Sequence, residues 1–397
     1  MSGKILEGVK ILDLTRVIAG PLCTQNLADL GATVYKIEKP HEGDDTRRMG
    51  PFLKDRKTQE DSNNSALFLA YNRGKKSLAI DITTEAGIHV IRELAKRCDV
   101  FVENYKSGNL KKYGLDYESL KKINPHIIYC SITGFGQSGP LAEQPAYDFI
   151  LQGMAGIMST CGHPDSAENG GPMRTAIPIV DMATGQNATI AILAALLHKK
   201  NTGEGQYIDC AMLDSAVALN GHLAVGYLMT GKNPRRVGNT NPIASPSEVF
   251  DCIDGKIIIA VGNNQQFRLF CDAVGLPDLP ATIEFSSNAN RVKNREQLRA
   301  IIAPQIEKMS RQALSEKFSA IGVPCGPLNE ISDVFSSPQS QHRALAVQLQ
   351  HHSGQDIRLI KSPLGLSSLS HHYAPPPVLG EDTAEVLREQ LGIIQPV

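Results

Sequence analysis

Apolar and polar positions along the first two hundred residues predict strands and helices in alternation. Short apolar runs predict buried strands, and the amphipathic stretches between them predict helices. The predicted strands are Val9–Leu14, Ala32–Ile37, Ser77–Ile82, Asp99–Val102 and His126–Ile132. The predicted helices are Gly20–Leu30, Glu85–Arg97, Leu115–Ile123, Thr184–Lys200 and Asp214–Met229. This alternation favours a mostly parallel sheet covered by helices on both faces, so the predicted fold class is α/β.

The pattern changes after Thr230. Residues 231–247 are rich in Gly, Pro and Asn and predict a linker. A short unit follows, with predicted elements at Val249–Cys252, Lys256–Val261, Gln265–Val274, Arg295–Glu307 and Arg311–Ile321. A hairpin of Val347–His351 and Ile357–Ile360 and a last helix, Asp382–Gln390, are predicted beyond it. The predicted organisation is a large domain beginning with residues 1–230, a linker over 231–247, a small α+β domain over 248–330 and a final segment over 331–397.

Composition narrows the classes of function. The formal net charge of -1 offers no electrostatic footprint for nucleic acid or for an anionic membrane. No apolar run approaches the roughly 20 residues of a bilayer-spanning helix. The strand pattern begins directly after residues 1–4, which leaves no room for a targeting segment. The expected location is cytoplasmic, although a mature mitochondrial form trimmed before residue 1 is also compatible with the sequence.

Metal and nicotinamide sites are not expected. The eight cysteines include no C-x-x-C pair and predict free thiols in a reducing compartment. Two adjacent pairs, His351–His352 and His371–His372, are poor chelates and are predicted as solvated loop histidines, while Asp44–Asp45 is predicted as a polar turn. Gly134–Gly139 matches G-x-G-x-x-G, but Pro140 follows at once. That favours an extended loop over the helix start that a pyrophosphate needs.

One acidic residue has a suggestive position. Asp181 follows an apolar, strand-like run, Ile177–Val180, and precedes a long apolar helix. A carboxylate there lies near the positive end of the helix dipole, which is also typical of an ordinary first-turn acid. The residues alone therefore leave the class of chemistry open.

Ordered stretches across nearly the whole chain resemble the class III CoA-transferases, the family of formyl-CoA transferase and carnitine CoA-transferase. The stretches are Gly8–Pro21, Leu30–Pro40, Gly43–Arg47, Asn72–Ser77, Asp99–Tyr105, Ser131–Gly136, Tyr147–Asp148 and Lys200–Gln206. The resemblance implies a Rossmann-like large domain that residues 331–397 return to complete, a small domain, and an interlocked homodimer. It implies acyl-CoA and a carboxylic acid as substrates, with no metal and no nicotinamide.

The resemblance also implies roles for single residues. Asp181 occupies the position of the nucleophilic aspartate, and Tyr147 lies where the family places a tyrosine near the reacting acyl group. Coenzyme contacts are implied at Val17, Ala19, Lys39, Lys75, Asn104, Tyr105 and Lys112. A mobile loop that covers the intermediate is implied at Gly262, Asn263, Asn264 and Gln265. This chain has two asparagines there where formyl-CoA transferase has glycines, which argues against a glycine-driven loop swing and against oxalate.

The predicted reaction is transfer of CoA from an acyl-CoA, succinyl-CoA first, to a dicarboxylate such as glutarate, through an aspartyl anhydride and an aspartyl-CoA thioester. Family members that use these two acids are most similar at His126–Gly134, Gly262–Phe267 and Gly322–Pro327. The far carboxylate of a dicarboxylate needs a cation, for which Arg16 and Arg174 are both candidates. Arg16 is equally a candidate for organising the CoA end.

Two alternatives stay open at this point. One is 2-methylacyl-CoA racemase chemistry, although Tyr147 replaces the histidine that such proton exchange uses. The other is a non-catalytic CoA-binding protein, which the presence of Asp181 disfavours.

Overall fold

The computed structural model describes residues 4–54, 58, 60–352, 354–369 and 373–393. Its strands are β1 (Lys10–Asp13), β2 (Thr33–Glu38), β3 (Phe52–Lys54), β4 (Asp61–Ser65), β5 (Lys75–Ala79), β6 (Val100–Glu103), β7 (Ile128–Thr133), β8 (Tyr207–Ala211), β9 (Ser247–Cys252), β10 (Gly255–Ala260), β11 (Cys325–Pro327), β12 (Ala346–Gln350) and β13 (Asp356–Ile360).

The α-helices are α1 (Ala19–Asp29), α2 (Ala66–Tyr71), α3 (Glu85–Ala95), α4 (Tyr117–Ile123), α5 (Asp148–Met154), α6 (Ile157–Thr160), α7 (Ile179–Thr202), α8 (Met212–Leu219), α9 (Gly221–Thr230), α10 (Asn264–Ala273), α11 (Asn288–Lys293), α12 (Arg295–Ile306), α13 (Arg311–Ala320), α14 (Ile331–Ser336), α15 (Pro338–His342) and α16 (Thr383–Leu391). Short 3-10 helices are Asp45–Arg48, Lys111–Tyr113 and Leu279–Ala281.

Six parallel strands form the central sheet in the order β5-β2-β1-β6-β7-β8. The chain runs outward from β1 to β2 and β5, then returns past β1 to build the other half. This is the strand order of Rossmann-type doubly wound sheets. In such sheets ligands bind beyond the carboxyl ends of the strands, where the order reverses. That point lies here between β1 and β6, and the parallel sheet confirms the predicted α/β class.

The chain divides into two compact units, Met1–Ile157 with Arg174–Lys232 and Ala344–Val397, and Met158–Met173 with Asn233–Arg343. The predicted boundaries differ from these units in three places: residues 231–247 are predicted as a separate linker, residues 331–343 as part of the segment that completes the large domain, and the segment 158–173 as part of the large domain. In the structure Arg236 holds that segment: its guanidinium donates to the carbonyls of Ser159 and His163 and pairs with Asp165. These contacts are made by residues far apart in the sequence, so local pattern does not predict them.

Within the first unit the C-terminal segment lies against the edge strand β5. The Ser77 N–H donates to an Asp382 carboxylate oxygen at 2.8 Å, and the Ala79 N–H donates to the Thr383 hydroxyl at 3.0 Å. Side chains of α16 pack into the same apolar cluster as β5 and α3. The second unit has its own core, in which α10, α12 and α13 cover the antiparallel sheet β9-β10-β11.

The long helix α7 begins earlier than predicted. It starts at Ile179, directly after Pro178, so Asp181 lies in the first helical turn and not at the end of a strand. The helix packs against α1, and at Gly185 an added Cβ atom would lie only 2.6 Å from the Ala19 carbonyl oxygen. Glycine therefore permits the close approach of the two helices one turn beyond Asp181.

The helix α7 is an exception to the expectation that no apolar segment is long enough to span a bilayer. Ile179–Thr202 has 24 residues and a mean hydropathy of 1.3 over its most apolar window, so it could span a membrane by length and composition alone. Scattered polar residues such as Asn187 interrupt the apolar run, which hides its length when only unbroken runs are considered. In the structure the helix packs on α1 and on the sheet strands β7 and β8.

Other local predictions also need correction. The predicted helix Asp214–Met229 is two helices, α8 and α9, which meet at Asn220. The strands β3, β4, β8 and β11 are not in the predicted set. His351 is buried, not solvated, and this burial lowers the pKa of its imidazole. The pair His371–His372 lies outside the described residues. All eight cysteines are free thiols.

Candidate active site

Asp148 caps the helix that carries Asp181. One Asp148 carboxylate oxygen accepts the N–H groups of Val180 at 2.7 Å and of Asp181 at 3.1 Å. The other oxygen accepts the Gln152 side-chain amide at 2.6 Å. Because Pro178, at the N-cap position, makes no side-chain bond, the cap comes from α5. The structure therefore places a second carboxylate beside Asp181, a partnership that the sequence analysis missed.

The Asp181 carboxyl has a perturbed proton affinity. Burial raises its pKa to about 7, and the negative charge of Asp148 contributes to the same shift. The side chain remains half-buried, so it can still meet a ligand. Burial also raises the pKa of Tyr71, the last residue of α2, and the negative charge of Asp181 adds a smaller contribution to this shift. A carboxyl perturbed by burial and by a like charge is typical of functional sites.

We expect kcat/KM for an acyl-CoA to fall about tenfold per pH unit below pH 7, because only the ionised Asp181 carboxylate is nucleophilic. The Asp148→Asn variant should move this acid limb to lower pH, since it removes a negative neighbour and retains an oxygen for the cap. Steady-state rates from pH 5 to 9 measure both effects. An acid limb that stays in place in Asp148→Asn would assign it to another group.

The segment that carries Arg174 is tied to the same helix start. The Thr175 N–H donates at 2.9 Å to the Gln152 side-chain oxygen, and Gln152 in turn bonds to Asp148. The Arg174 guanidinium lies 5.0 Å from the centroid of the Phe149 ring. Tyr147, directly before Asp148, is 67% exposed. A cation and an exposed phenol thus lie on the segments that surround the Asp181 turn.

A cleft of about 570 Å³ opens at the carboxyl ends of β1, β2, β5 and β6. Among the predicted residues, its lining includes Arg16, Lys39, Tyr105 and Lys112. Lys39 pairs with Glu42 at 2.5 Å, and the Lys112 ammonium lies 4.7 Å from the centroid of the Tyr113 ring. Arg16 pairs with Asp45 at 2.8 Å. The volume suits a nucleotide-sized ligand, and the cations suit phosphate groups.

The loop after β1 borders this cleft in a strained conformation. Val17 has φ = 72°, which is unfavourable for a β-branched residue. Its N–H donates to Asp44 at 3.3 Å. The Asn104 side chain holds Arg16 from the opposite side, accepting its N–H at 3.0 Å and donating to its carbonyl at 2.7 Å. Ala19 is buried at the start of α1. Such strain persists where surrounding contacts impose it, often at ligand sites.

Lys75, which the resemblance implies as a coenzyme contact, is not among the residues that line the cleft. Its side chain is fully buried. The ammonium donates to Asp13 at 3.1 Å, to the Pro21 carbonyl at 3.0 Å and to the Asn72 side chain at 2.9 Å. Burial lowers its pKa to about 8, and the Asp13 carboxylate opposes that effect. All three N–H donors are used inside the protein, so none is directed at the cleft.

Lys75 belongs to a network of charged side chains beneath the cleft, which we call the buried charge network: Asp13, Lys36, Glu38, Asp44, Arg47 and Lys75. Three acids balance three bases. Lys36 donates at 2.9 Å to Asp44, and Arg47 forms two bonds of 2.7 Å with Glu38. Asp44 also caps the 3-10 helix Asp45–Arg48, which confirms the predicted turn. Mutual compensation is what buried charges require.

The segment Gly262–Gln265, expected to be a mobile loop, is the capped start of α10. The Asn263 side chain accepts the Gln266 N–H at 2.9 Å, and the Gln266 side chain accepts the Gly262 N–H at 2.8 Å. Gln266 also donates to the Gly322 carbonyl at 3.2 Å. These bonds give the segment a capping role at the start of α10, and the lid role that the resemblance implies stays a prediction.

Comparison with known proteins gives a consistent picture. A family model described as CoA-transferase family III matches residues 6–383. The succinate–glutarate CoA-transferase of Agrobacterium fabrum is 42% identical over 385 residues, which cover 97% of this chain and 95% of that protein. Human succinyl-CoA:glutarate CoA-transferase is 42% identical over 390 residues, which cover 98% and 86%. The crystal structure of a CAIB/BAIF family protein from Brucella suis is 41% identical, with a TM-score of 0.86, over 97% of this chain and 99% of that one.

Proposed function

The chain belongs to CoA-transferase family III, and we propose that it moves CoA from succinyl-CoA to a dicarboxylate, with glutarate as the first candidate. CoA thioesters are substrates of this family, and the two relatives compared above are named for succinate or succinyl-CoA and glutarate. The observation that carries the proposal is the half-buried Asp181 carboxyl at the start of α7, with its raised pKa.

The proposed reaction uses Asp181 as a covalent carrier. Its carboxylate attacks the succinyl thioester carbonyl, which forms a mixed anhydride and expels CoA thiolate. The thiolate then attacks the Asp181 side of the anhydride, which releases succinate and leaves an aspartyl-CoA thioester. Glutarate attacks that thioester and expels the thiolate again. Attack of the thiolate on the glutaryl carbonyl yields glutaryl-CoA and restores the Asp181 carboxylate.

The cleft supplies binding energy for the unfavourable anhydride steps. Lys39, Lys112 and Arg16 are proposed to contact the phosphates of the nucleotide, because all three line the cleft. Interactions with this remote part of CoA can offset the cost of forming the anhydride. The loop from Arg16 to Ala19 leads into α1, which packs on α7 one turn beyond Asp181. A pantetheine arm that follows this loop would run from the cleft toward the nucleophile.

Arg174 is the better candidate for the far carboxylate of the acceptor. Arg16 lines the nucleotide cleft and is paired with Asp45. Arg174 forms no ion pair within the described part of the chain, and its neighbour Thr175 is bonded to the helix-capping group of Gln152 and Asp148. A guanidinium in that position can bind a carboxylate through two parallel hydrogen bonds.

We therefore expect Arg174→Gln to raise KM for glutarate about 10- to 100-fold, through loss of a charged hydrogen-bonded pair. KM for succinyl-CoA should rise less, because its free carboxylate uses the same site but its CoA end is also bound in the cleft, and a monocarboxylate acceptor should be nearly unaffected. Arg16→Gln is the matched control and should instead raise KM for succinyl-CoA. Equal effects of Arg174→Gln on glutarate and on butyrate would contradict this role.

We also propose that two chains associate as a homodimer. The helices α7, α8 and α9 expose large apolar side chains, among them Ile190 (64%), Leu197 (62%), Leu228 (79%) and Met229 (79%). Apolar surface of this extent marks an interaction site on most proteins. Light scattering coupled to gel filtration should give twice the mass of one chain, and the mass of one chain would refute the proposal.

The test of the function is a transfer assay with an acid panel. The purified protein is incubated with succinyl-CoA and glutarate, adipate, oxalate, acetate or carnitine, and the CoA thioesters are identified by mass spectrometry. We expect glutaryl-CoA as the main new thioester. Absence of any new thioester would reject the transferase proposal for these acids. Exchange of the α-proton of 2-methylacyl-CoA with deuterated water would then favour racemase chemistry.

A further inference from the structure

Glu103 is a buried acid that the proposed mechanism does not use. It ends β6 at the point where the strand order reverses, and it is only 5% exposed. It forms no ion pair with a lysine or arginine in the ranges that the structure describes. Burial raises the pKa of its carboxyl to about 7. An acid without a compensating cation in such a position is costly to stability, so its bonds to neighbouring groups are informative.

Those bonds form a closed circuit between two loops. One Glu103 oxygen accepts the Tyr105 N–H at 2.8 Å, and the other accepts the Ser131 hydroxyl. The Ser131 oxygen accepts the Gln137 side-chain amide at 2.7 Å, and Gln137 accepts the Ser107 hydroxyl at 3.0 Å. The circuit thus leaves the 104–107 turn, passes through β7 and the loop after it, and returns to the same turn.

The 104–107 turn, which these hydrogen bonds hold, lines one part of the cleft and contacts the loop that lines another. Tyr105 lines the cleft directly. Asn104 bonds to both backbone groups of Arg16, which also lines the cleft and begins the strained segment through Val17. Loss of the Glu103 carboxylate would therefore alter both the 104–107 turn and the loop that begins with Arg16 and Val17. Because Glu103 itself is not among the residues that line this cleft, it acts through the turn and not by contact with CoA.

We propose that Glu103 is a positioning residue for coenzyme A, one that holds Asn104, Tyr105 and Arg16 in the arrangement that the nucleotide end requires. This role of Glu103 depends on the proposed function in one respect, namely that the cleft is the binding site of CoA. The rest of the circuit, Ser131 and Gln137, serves to orient the Glu103 carboxylate. Loss of the carboxylate should weaken CoA binding and leave the chemical step at Asp181 nearly intact.

The test compares Glu103→Ala and Glu103→Gln by calorimetric titration with CoA and by steady-state kinetics. We expect Glu103→Ala to weaken CoA binding and raise KM for succinyl-CoA by about 10- to 100-fold, with kcat and KM for glutarate within about threefold of the parent. Glu103→Gln should recover most of the affinity, because its amide oxygen can accept the Tyr105 N–H. Glu118→Ala, which removes an exposed acid nearby, is the matched control and should change neither constant.

A double variant separates positioning from general damage. If Glu103 acts through Asn104, Glu103→Ala combined with Asn104→Ala should cost less than the sum of the two single changes. Additive effects, or equal losses in kcat and in both KM values, would overturn the proposal. Should Glu103→Ala fail to fold, Ser131→Ala opens the same circuit with a smaller change and should still weaken CoA binding. A parent protein that does not bind CoA would reject the proposed function itself, whereas unaltered binding by the variants would reject only the role of Glu103.

Discussion

Asp181→Asn should lower the rate of CoA transfer by at least about 10⁴-fold, because the amide cannot form the anhydride or the thioester. CoA binding should persist, since the cleft is formed by the loops after β1, β2, β5 and β6. The transfer assay and a calorimetric titration measure the two effects separately. An Asp181→Asn protein that still produces glutaryl-CoA at more than about 1% of the parent rate would refute the nucleophilic role.

Two controls sharpen this prediction. Asp181→Glu keeps the carboxylate but displaces it by about one methylene, and misplacement on the order of 1 Å can cost about 100-fold. It should therefore retain more activity than Asp181→Asn. The parent protein incubated with succinyl-CoA alone should carry CoA on the peptide that contains Asp181, and hydroxylamine should remove it. Mass spectrometry of the digested protein reads both outcomes.

A second consequence concerns stability. The folded-state pKa of Asp181 is about 7, above its ordinary value of 3.8. The penalty for holding the ionised carboxylate is absent below the ordinary value, grows as the pH rises, and is complete above pH 7. Asp181→Asn should therefore raise the melting temperature more at pH 8 than at pH 5. The proposed catalytic role of Asp181 and the stability of the fold are thus in opposition at this position, as is common at catalytic sites.

The largest loss of stability is expected from Lys75→Met. Removing one partner of a buried charge pair leaves the other uncompensated, at a cost of about 3–5 kcal/mol. Here the remaining group is Asp13, which is fully buried at 0% exposure. Its hydrogen bonds to Thr15 and Thr24 would persist, but Lys75 would no longer balance its charge. Urea unfolding followed by circular dichroism measures the change in unfolding free energy.

Lys76→Met is the matched control for Lys75→Met. Lys76 is the next residue on β5, and it pairs at the surface with Glu385, which is 49% exposed. Exposed pairs of this kind contribute about 0–1 kcal/mol. If Lys75→Met proves as stable as Lys76→Met and instead raises KM for succinyl-CoA, Lys75 is a coenzyme contact and the buried charge network does not depend on it.

The geometry suggests how one fold serves both binding and covalent chemistry. The crevice at the reversal of strand order is the proposed site of the nucleotide end, a position where other doubly wound sheets bind ligands. The proposed nucleophile, Asp181, lies on α7, which packs against the helix that follows the β1 loop. The proposed binding cleft and the proposed nucleophile thus lie on neighbouring elements, and Asp148, Asn104 and Glu103 form hydrogen bonds to the segments between them. Rigid placement of this kind is what a covalent carrier needs, since its attack depends on short, oriented contact.

The fold class and the family could both be predicted from the sequence. The spacing of apolar residues and the Gly and Pro signals between the apolar runs predict β1, α1, β2, α3, β6 and β7 within a few residues, because these signals are local in the sequence. Thr84 before α3 and Pro21 in the first turn of α1 are local signals of helix starts. The family motifs, which occur in the expected order along the chain, were enough to single out Asp181 as the candidate nucleophile. They can be recognised in the sequence without knowledge of any tertiary contact.

Which polar residues contact one another could be learned only from the folded chain. Lys75 and Lys76 are neighbours with equal local signals, but successive residues on a strand face opposite sides, and only the strand's place in the sheet tells which side is buried. Asp148 caps a helix 33 residues away, and Glu103 reaches Ser131 28 residues away. Such contacts form when chain folding closes long loops, and no periodicity along the chain encodes them. The fold class could therefore be predicted from local sequence patterns. The Asp148 cap beside Asp181 and the hydrogen bonds of Glu103 could not, because they join residues that only folding brings together.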